Sequence, residues 1–253
     1  MNSTSAPLRR LVIALGLAAT GCAGSNAAAP TRSAGSVGSP ATTTTAGFPT
    51  TAPAPAPAPA PAAYPVHTVT ATVFWVGEPA DSDSAYISNA ASAWDDHWRD
   101  RFGGVDEPDR RAGWRPAEFA PRENPFYVAL PYDDLNDDGH VKASAAGIPW
   151  AAERVPGQSV LKNRWVSVER DGRVAYAQWE DVGPFQSDDF GSVFGTAAPV
   201  NRRNDRAGID VSPAIRDQLG LDGEEAVSWR FVDRADVPAG PWLSVVTTSG
   251  VQQ

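Results

Sequence analysis

The residues best placed to do chemistry are carboxylates. Asp181 stands in Trp179-Glu-Asp-Val-Gly-Pro-Phe185, where a strand has to end because Pro184 has no N–H to give a ladder. Trp179 precedes Asp181, and Val182 and Phe185 follow it, so its carboxyl is expected in apolar surroundings. Burial disfavours the charged form, and a carboxyl that keeps its proton can act as a general acid on an oxygen leaving group. Asp181 is the candidate general acid on these grounds. Glu180 should point away from it if strand alternation holds to the end. Asp133, Asp134 and Asp210 each stand near an expected strand end and are the candidates for a facing second carboxylate. Plainer roles are open to both main candidates. Asp210 could accept hydrogen bonds from the free N–H groups of a helix start, and Asp181 could brace the Gly183-Pro184 turn.

Other chemistries find less support. His67, His97 and His140 are scattered, and none has a ligand-spaced partner histidine, so no zinc site is read. Ser212 has no histidine base nearby in sequence and reads as a helix cap. The run Asp134-Leu-Asn136-Asp-Asp138-Gly139 matches the first six positions of a calcium loop. Position 12 is Ala145, where a bidentate Glu is expected, and no helix flanks the loop, so an acidic turn is the simpler reading. No cofactor is expected.

The elements that position Asp181 are legible. Residues 163–169 and 173–179 have strand composition, and Asp171-Gly172 between them reads as a tight hairpin turn. Phe126 to Leu130 is a short apolar strand. Ile209 to Val211 is another, followed by a helix capped by Ser212, opened by Pro213 and closed by Gly220. Val69 to Val76, Val227 to Asp233 and Trp242 to Thr247 complete the expected strands. A helix is expected from Ser88 or Asn89 to Arg101, stopping at Gly103-Gly104 and carrying Trp94 and Trp98 on one face. That face would pack on the barrel or serve as a sugar-stacking platform.

The chain divides into three parts. Residues 1–21 read as a signal segment: Arg9 and Arg10, an apolar run too short to span a bilayer, then Ala-Thr-Gly before Cys22. Small residues directly before a lone cysteine resemble a bacterial lipoprotein cleavage site, with Cys22 lipidated. Residues 22–66 are a tether of Ala, Pro, Thr, Ser and Gly. Its alternating Ala-Pro run forbids helix and sheet, and the segment buries nothing. Residues 67–250 hold all nine tryptophans and are ample for one core. The formal charge is −9, or −11 once Arg9 and Arg10 are gone, and no basic cluster appears, which argues against nucleic acid as a partner. The expected location is the bacterial envelope, lipid-anchored in the outer membrane and facing the periplasm. Nothing in the sequence sets an oligomeric state.

The strings VLKNRWVSVERDGRVAYAQWEDVGPF and AGIDVSPAIRDQLGLDG resemble the double-psi β-barrel of rare lipoprotein A and the first domain of expansins. The resemblance covers about 126–232. It implies a mainly β fold, a six-stranded double-psi β-barrel with short helices, here with an added N-terminal helical excursion. It also implies a partner, cell-wall or another polysaccharide, that the protein would cleave, loosen or bind. The family's key aspartate carries over to Asp181 and its structural aspartate to Asp210. A histidine in the strand before Leu-Pro is replaced here by FYVALP, with Tyr127 the nearest polar group. Trp179 alternates with Gln178 and Glu180 and flanks Asp181, so it is the tryptophan expected to line the groove and stack on a sugar; with Tyr127, Asp133 and Asp134 it makes up the expected substrate-binding residues. A lytic transglycosylase could manage with Asp181 alone. A non-catalytic or expansin-like polysaccharide-binding module, and a structural envelope protein, are the alternatives.

Overall fold

The computed structural model describes residues 64–81 and 87–250. The expected signal segment, Cys22 and all of the tether before Tyr64 lie outside the described residues. Among the described residues no helix is long and apolar enough to cross a membrane.

Six strands close into a barrel: β1 (His67–Val73), β4 (Tyr127–Leu130), β5 (Trp165–Arg170), β6 (Arg173–Val182), β7 (Ile209–Val211) and β8 (Glu225–Val232). Around the barrel the order is β1-β7-β4-β6-β5-β8. Two more, β2 (Arg111–Ala112) and β3 (Arg115–Pro116), form a separate ribbon. The hairpin β5–β6 turns at Asp171-Gly172 as its composition predicts, with Trp165 opposite Gln178 and Arg170 opposite Arg173. Both of its turn residues sit at positive φ, 51° and 76°, as a two-residue hairpin turn of the I′ type requires. The pairing has an internal symmetry. Exchanging β1 with β6, β4 with β7 and β5 with β8 maps the pairing pattern onto itself: β1 runs parallel to β7 as β6 does to β4, and the remaining contacts are antiparallel.

Alternate residues fill the interior. Val166, Val168, Ala175, Ala177, Trp179, Val227, Trp229 and Phe231 belong to one buried cluster, the period-2 signature of half-buried strands. β4 is apolar throughout because both of its faces are covered: Val128 and Leu130 join the barrel core, and Tyr127 and Ala129 join a second cluster with Phe74, Val76, Trp98 and Phe102. That second cluster is supplied by the excursion between β1 and β4.

The excursion differs from expectation. Among the described residues its only α-helix is α1 (Trp98–Phe102), ended by Gly103 in the left-handed region. Residues 88–97 form turns instead, because side chains there serve local backbone donors: Ser92 Oγ accepts from Trp94 N and Asp95 Oδ1 from His97 N. Such bonds compete with a helix. Trp94 and Trp98 therefore do not share a face. Trp94 packs edge-on to Trp179 in the barrel core, with centroids 5.8 Å apart, and Trp98 packs on Tyr127 at 5.3 Å. The expected last strand, Trp242 to Thr247, is also absent. Residues Pro241–Leu243 form a 3-10 turn, and the described chain beyond it joins no ladder. A closed barrel leaves no edge for a further strand.

Two further helices follow β6: α2 (Phe190–Phe194), capped by Asp189, and α3 (Pro213–Leu219), capped by Ser212, closed by Gly220 at φ 70° and bonded through Gln218 to Val174 near the start of β6.

Candidate active site

One transverse row of the barrel carries the site. Thr72 on β1 lies opposite Asp210 on β7, Asp210 opposite Ala129 on β4, and Ala129 opposite Asp181 on β6. Asp181 and Asp210 thus stand on either side of Ala129, two strand spacings or about 9.5 Å apart at their backbones. The row depends on a β-bulge. The register between β4 and β6 slips after Val128, which faces Trp179, so that Ala129 faces Asp181 and Glu180 is the extra residue.

Each carboxyl is held. Asp181 Oδ1 accepts from Ala93 N at 2.7 Å and from Val182 N at 2.8 Å. Asp210 Oδ1 accepts from the Thr72 hydroxyl, and its Oδ2 lies over Gly183, where an added Cβ would come within 3.0 Å. A third carboxyl joins them. Glu78, just beyond β1, accepts from Asn89 Nδ2 at 2.7 Å. Backbone bonds Gly77 N to Asn89 O and Asn89 N to Glu78 O pin that pair.

Asp181, Asp210 and Glu78 line one cavity of about 100 Å³, walled by Phe74, Val182 and Phe185. Among the described residues lining it there is no Lys, Arg or His. Loss of water pushes Asp181 up to about 7, with the charges of Asp210 and Asp133 adding to the rise against the pull of the Ala93 and Val182 N–H groups. Burial pushes Glu78 and Asp210 up to about 7 as well, opposed by Trp75, Asn89 and Thr72 hydrogen bonds. Three carboxyls without a cation cannot all ionise together, so the cavity retains protons near neutrality. A proton donor and a proton acceptor then stand side by side, which is what acid–base chemistry on an oxygen leaving group requires.

The other expected residues are placed elsewhere. Glu180 is buried against Lys162, Oε2 to Nζ 2.5 Å, away from Asp181 as anticipated. The alternation argument for it fails all the same, because the bulge breaks the alternation and the salt bridge sets its direction. Trp179 does not line a groove: it is 0% exposed, and its Nε1 donates to the Asp181 carbonyl at 2.7 Å. Tyr127 is buried in the second cluster and donates its hydroxyl to Asp106 at 2.9 Å. Asp133 accepts from Trp94 Nε1 and Leu135 N, and burial raises its pKa. Asp134 is fully buried and ion-paired to Arg154 at 2.6 Å, with Ser159 and Val160 also donating to it. The loop Asp134, Asn136, Asp138 therefore cannot offer its first calcium ligand, and among the described residues no group of three acidic, His or Cys side chains could hold a metal.

Glu78 is absent from the sequence reading. It lies in a polar loop after β1, and no local pattern marks it; only the register of β1 beside β7 brings it to Asp210. A scan against protein-family models and a search of curated protein sequences each returned no match.

Proposed function

We propose that the chain is an exported envelope lipoprotein, anchored through Cys22, whose barrel acts on cell-wall glycan with Asp181 as general acid. The observation that carries this reading is the cavity in which Asp181, Asp210 and Glu78 meet without a cation. The internal symmetry of the strand pairing suits the double-psi topology of rare lipoprotein A and expansins. The cavity is smaller than the few hundred cubic ångströms of ordinary ligand pockets. A glycan would lie across its mouth and place one glycosidic oxygen there rather than bury a sugar ring. In the transglycosylase form of the reaction, Asp181 gives its proton to the leaving oxygen as the C1–O bond breaks. Its carboxylate then takes the proton of the sugar's own 6-hydroxyl as O6 bonds to C1, closing an anhydro ring. Burial, with the charges of Asp210 and Asp133 adding to it, keeps Asp181 protonated at rest.

The second reading is a non-catalytic or expansin-like polysaccharide-binding module. The small open cavity favours it, whereas the burial of Trp179 removes the stacking platform it would have used. A structural envelope role is the remaining alternative. The deciding experiment incubates the purified protein with peptidoglycan sacculi and measures released fragments by mass. Anhydro-muropeptides from the wild type and none from a folded Asp181→Asn form support the mechanism. Retention on sacculi without release supports the binding module, and neither outcome leaves the structural role. The anchor is tested separately: intact mass of the membrane fraction should show an acyl addition that Cys22→Ala lacks.

A further inference from the structure

A second cleft, of about 360 Å³, opens between the start of β5, the end of β8 and the segment Val246 to Thr248. That volume lies within the range of small-ligand sites. Its wall carries three kinds of unfilled interaction. Asn163 Oδ1 is buried and has no donor, while the Nδ2 of the same side chain is tied to Ser249 O at 3.1 Å. Arg234 stacks its guanidinium over Trp165, 5.3 Å from the ring centroid, and among the described residues no carboxylate pairs with it. The other charges at the cleft are engaged: Lys162 by Glu180, Arg164 by Glu153 at 2.5 Å, and the Asp233 carboxyl by the Tyr64 hydroxyl at 3.2 Å.

The third is backbone. Thr247 gives its N–H and receives at its C=O from the Gln178 side-chain amide, each at 2.9 Å. On either side of it Val246 and Thr248, which border the cleft, have no backbone hydrogen bond among the described residues. Unpaired backbone N–H and C=O groups are a template for an added chain.

A buried acceptor without a donor, a guanidinium without an anion and unpaired backbone groups call for one kind of ligand. We propose that this cleft binds a short extended peptide ending in a free carboxylate. The unpaired backbone groups would pair with its amides, Arg234 would take the carboxylate, and Asn163 Oδ1 would accept an amide N–H. The source could be a free peptide or a peptide carried on a glycan, since the recognised chemistry is the same. The site is separate from the Asp181 cavity and does not depend on cleavage there.

The test is calorimetric titration of the full-length protein with N-acetyl-trialanine, its C-terminal amide, its backbone N-methylated form and a neutral chito-oligosaccharide lacking peptide. Loss of a charge-assisted hydrogen bond should weaken the amide about tenfold or more against the free acid. Arg234→Gln, an exposed substitution, should weaken the free acid by a similar factor, and N-methylation should abolish binding. The same peptide joined to the oligosaccharide distinguishes the sources: tighter binding than the free peptide identifies the carried form, equal binding the free one. Equal binding of acid and amide, or no effect of Arg234→Gln or N-methylation, overturns the proposal. So does binding of the bare oligosaccharide as strong as the peptide's, or no saturable heat from the free acid at millimolar concentration.

Discussion

Asp181→Asn should make the protein more stable above neutral pH while removing any cleavage that Asp181 drives. The carboxyl has an ordinary value of 3.8 and is held near 7 in the folded protein, chiefly by burial. At roughly 1.4 kcal/mol per unit, the ionised form costs the fold about 4 kcal/mol once the pH passes 7. The direction follows from proton binding. Between about pH 4 and 7 the folded state holds a proton that the unfolded chain has released, so stability is greatest at the acid end and falls as pH rises through this window. Asp210 and Glu78 are raised to a similar value, chiefly by burial, so each adds to the slope in the same window. Asn keeps an oxygen to accept the Ala93 and Val182 N–H groups, and it cannot ionise. Urea unfolding at pH 4, 6 and 8 should find the two forms alike at pH 4. The variant should lead by about 2–4 kcal/mol at pH 8, a large part of a typical domain's stability. Parallel pH profiles, or a variant weakened equally at every pH, would refute the claim that burial keeps this carboxyl protonated.

Trp179→Ala empties a fully buried site and should cost about 3–5 kcal/mol, so a thermal melt should fall before any glycan affinity is lost specifically. Lys162→Met strands Glu180 in the interior and should cost about 3–5 kcal/mol, whereas the double change with Glu180→Leu should recover most of it in chemical denaturation. Millimolar calcium should leave the melting temperature unchanged, because Asp134 is already held by Arg154; a clear rise would show that the acidic turn opens to take the ion.

How much of this was legible in the sequence depends on the range of the interaction. The β5–β6 hairpin could be read because Asp171-Gly172 and the alternation on each side are local signals. The cap of α3 at Ser212 and the stops at Gly103 and Gly220 are local too. The helix expected over 89–101 failed because Ser92 and Asp95 bond to nearby N–H groups, a competition that hydrophobic spacing does not register. Trp179 is expected in a groove because it alternates with Gln178 and Glu180 and flanks Asp181, yet it lies with Ala175 and Ala177 in the barrel core, and the bulge separates its direction from that of Asp181. The site itself is a matter of register. Thr72, Asp210, Ala129 and Asp181 are distant in the chain and become neighbours only when the barrel closes. The bulge then decides which acid stands in this row. With an unbroken ladder Ala129 would face Glu180, and the extra residue after Val128 puts Asp181 in its place. Glu180 is thereby left to Lys162, and Asp181 faces a cavity with no cation among the described residues of its wall. Two adjacent acids of the same chemistry so acquire opposite environments, one neutralised by a buried ammonium and one kept protonated beside other carboxyls. A one-residue slip in a strand pairing separates the structural acid from the candidate catalytic one, and no reading of Trp-Glu-Asp as a string could have made that choice.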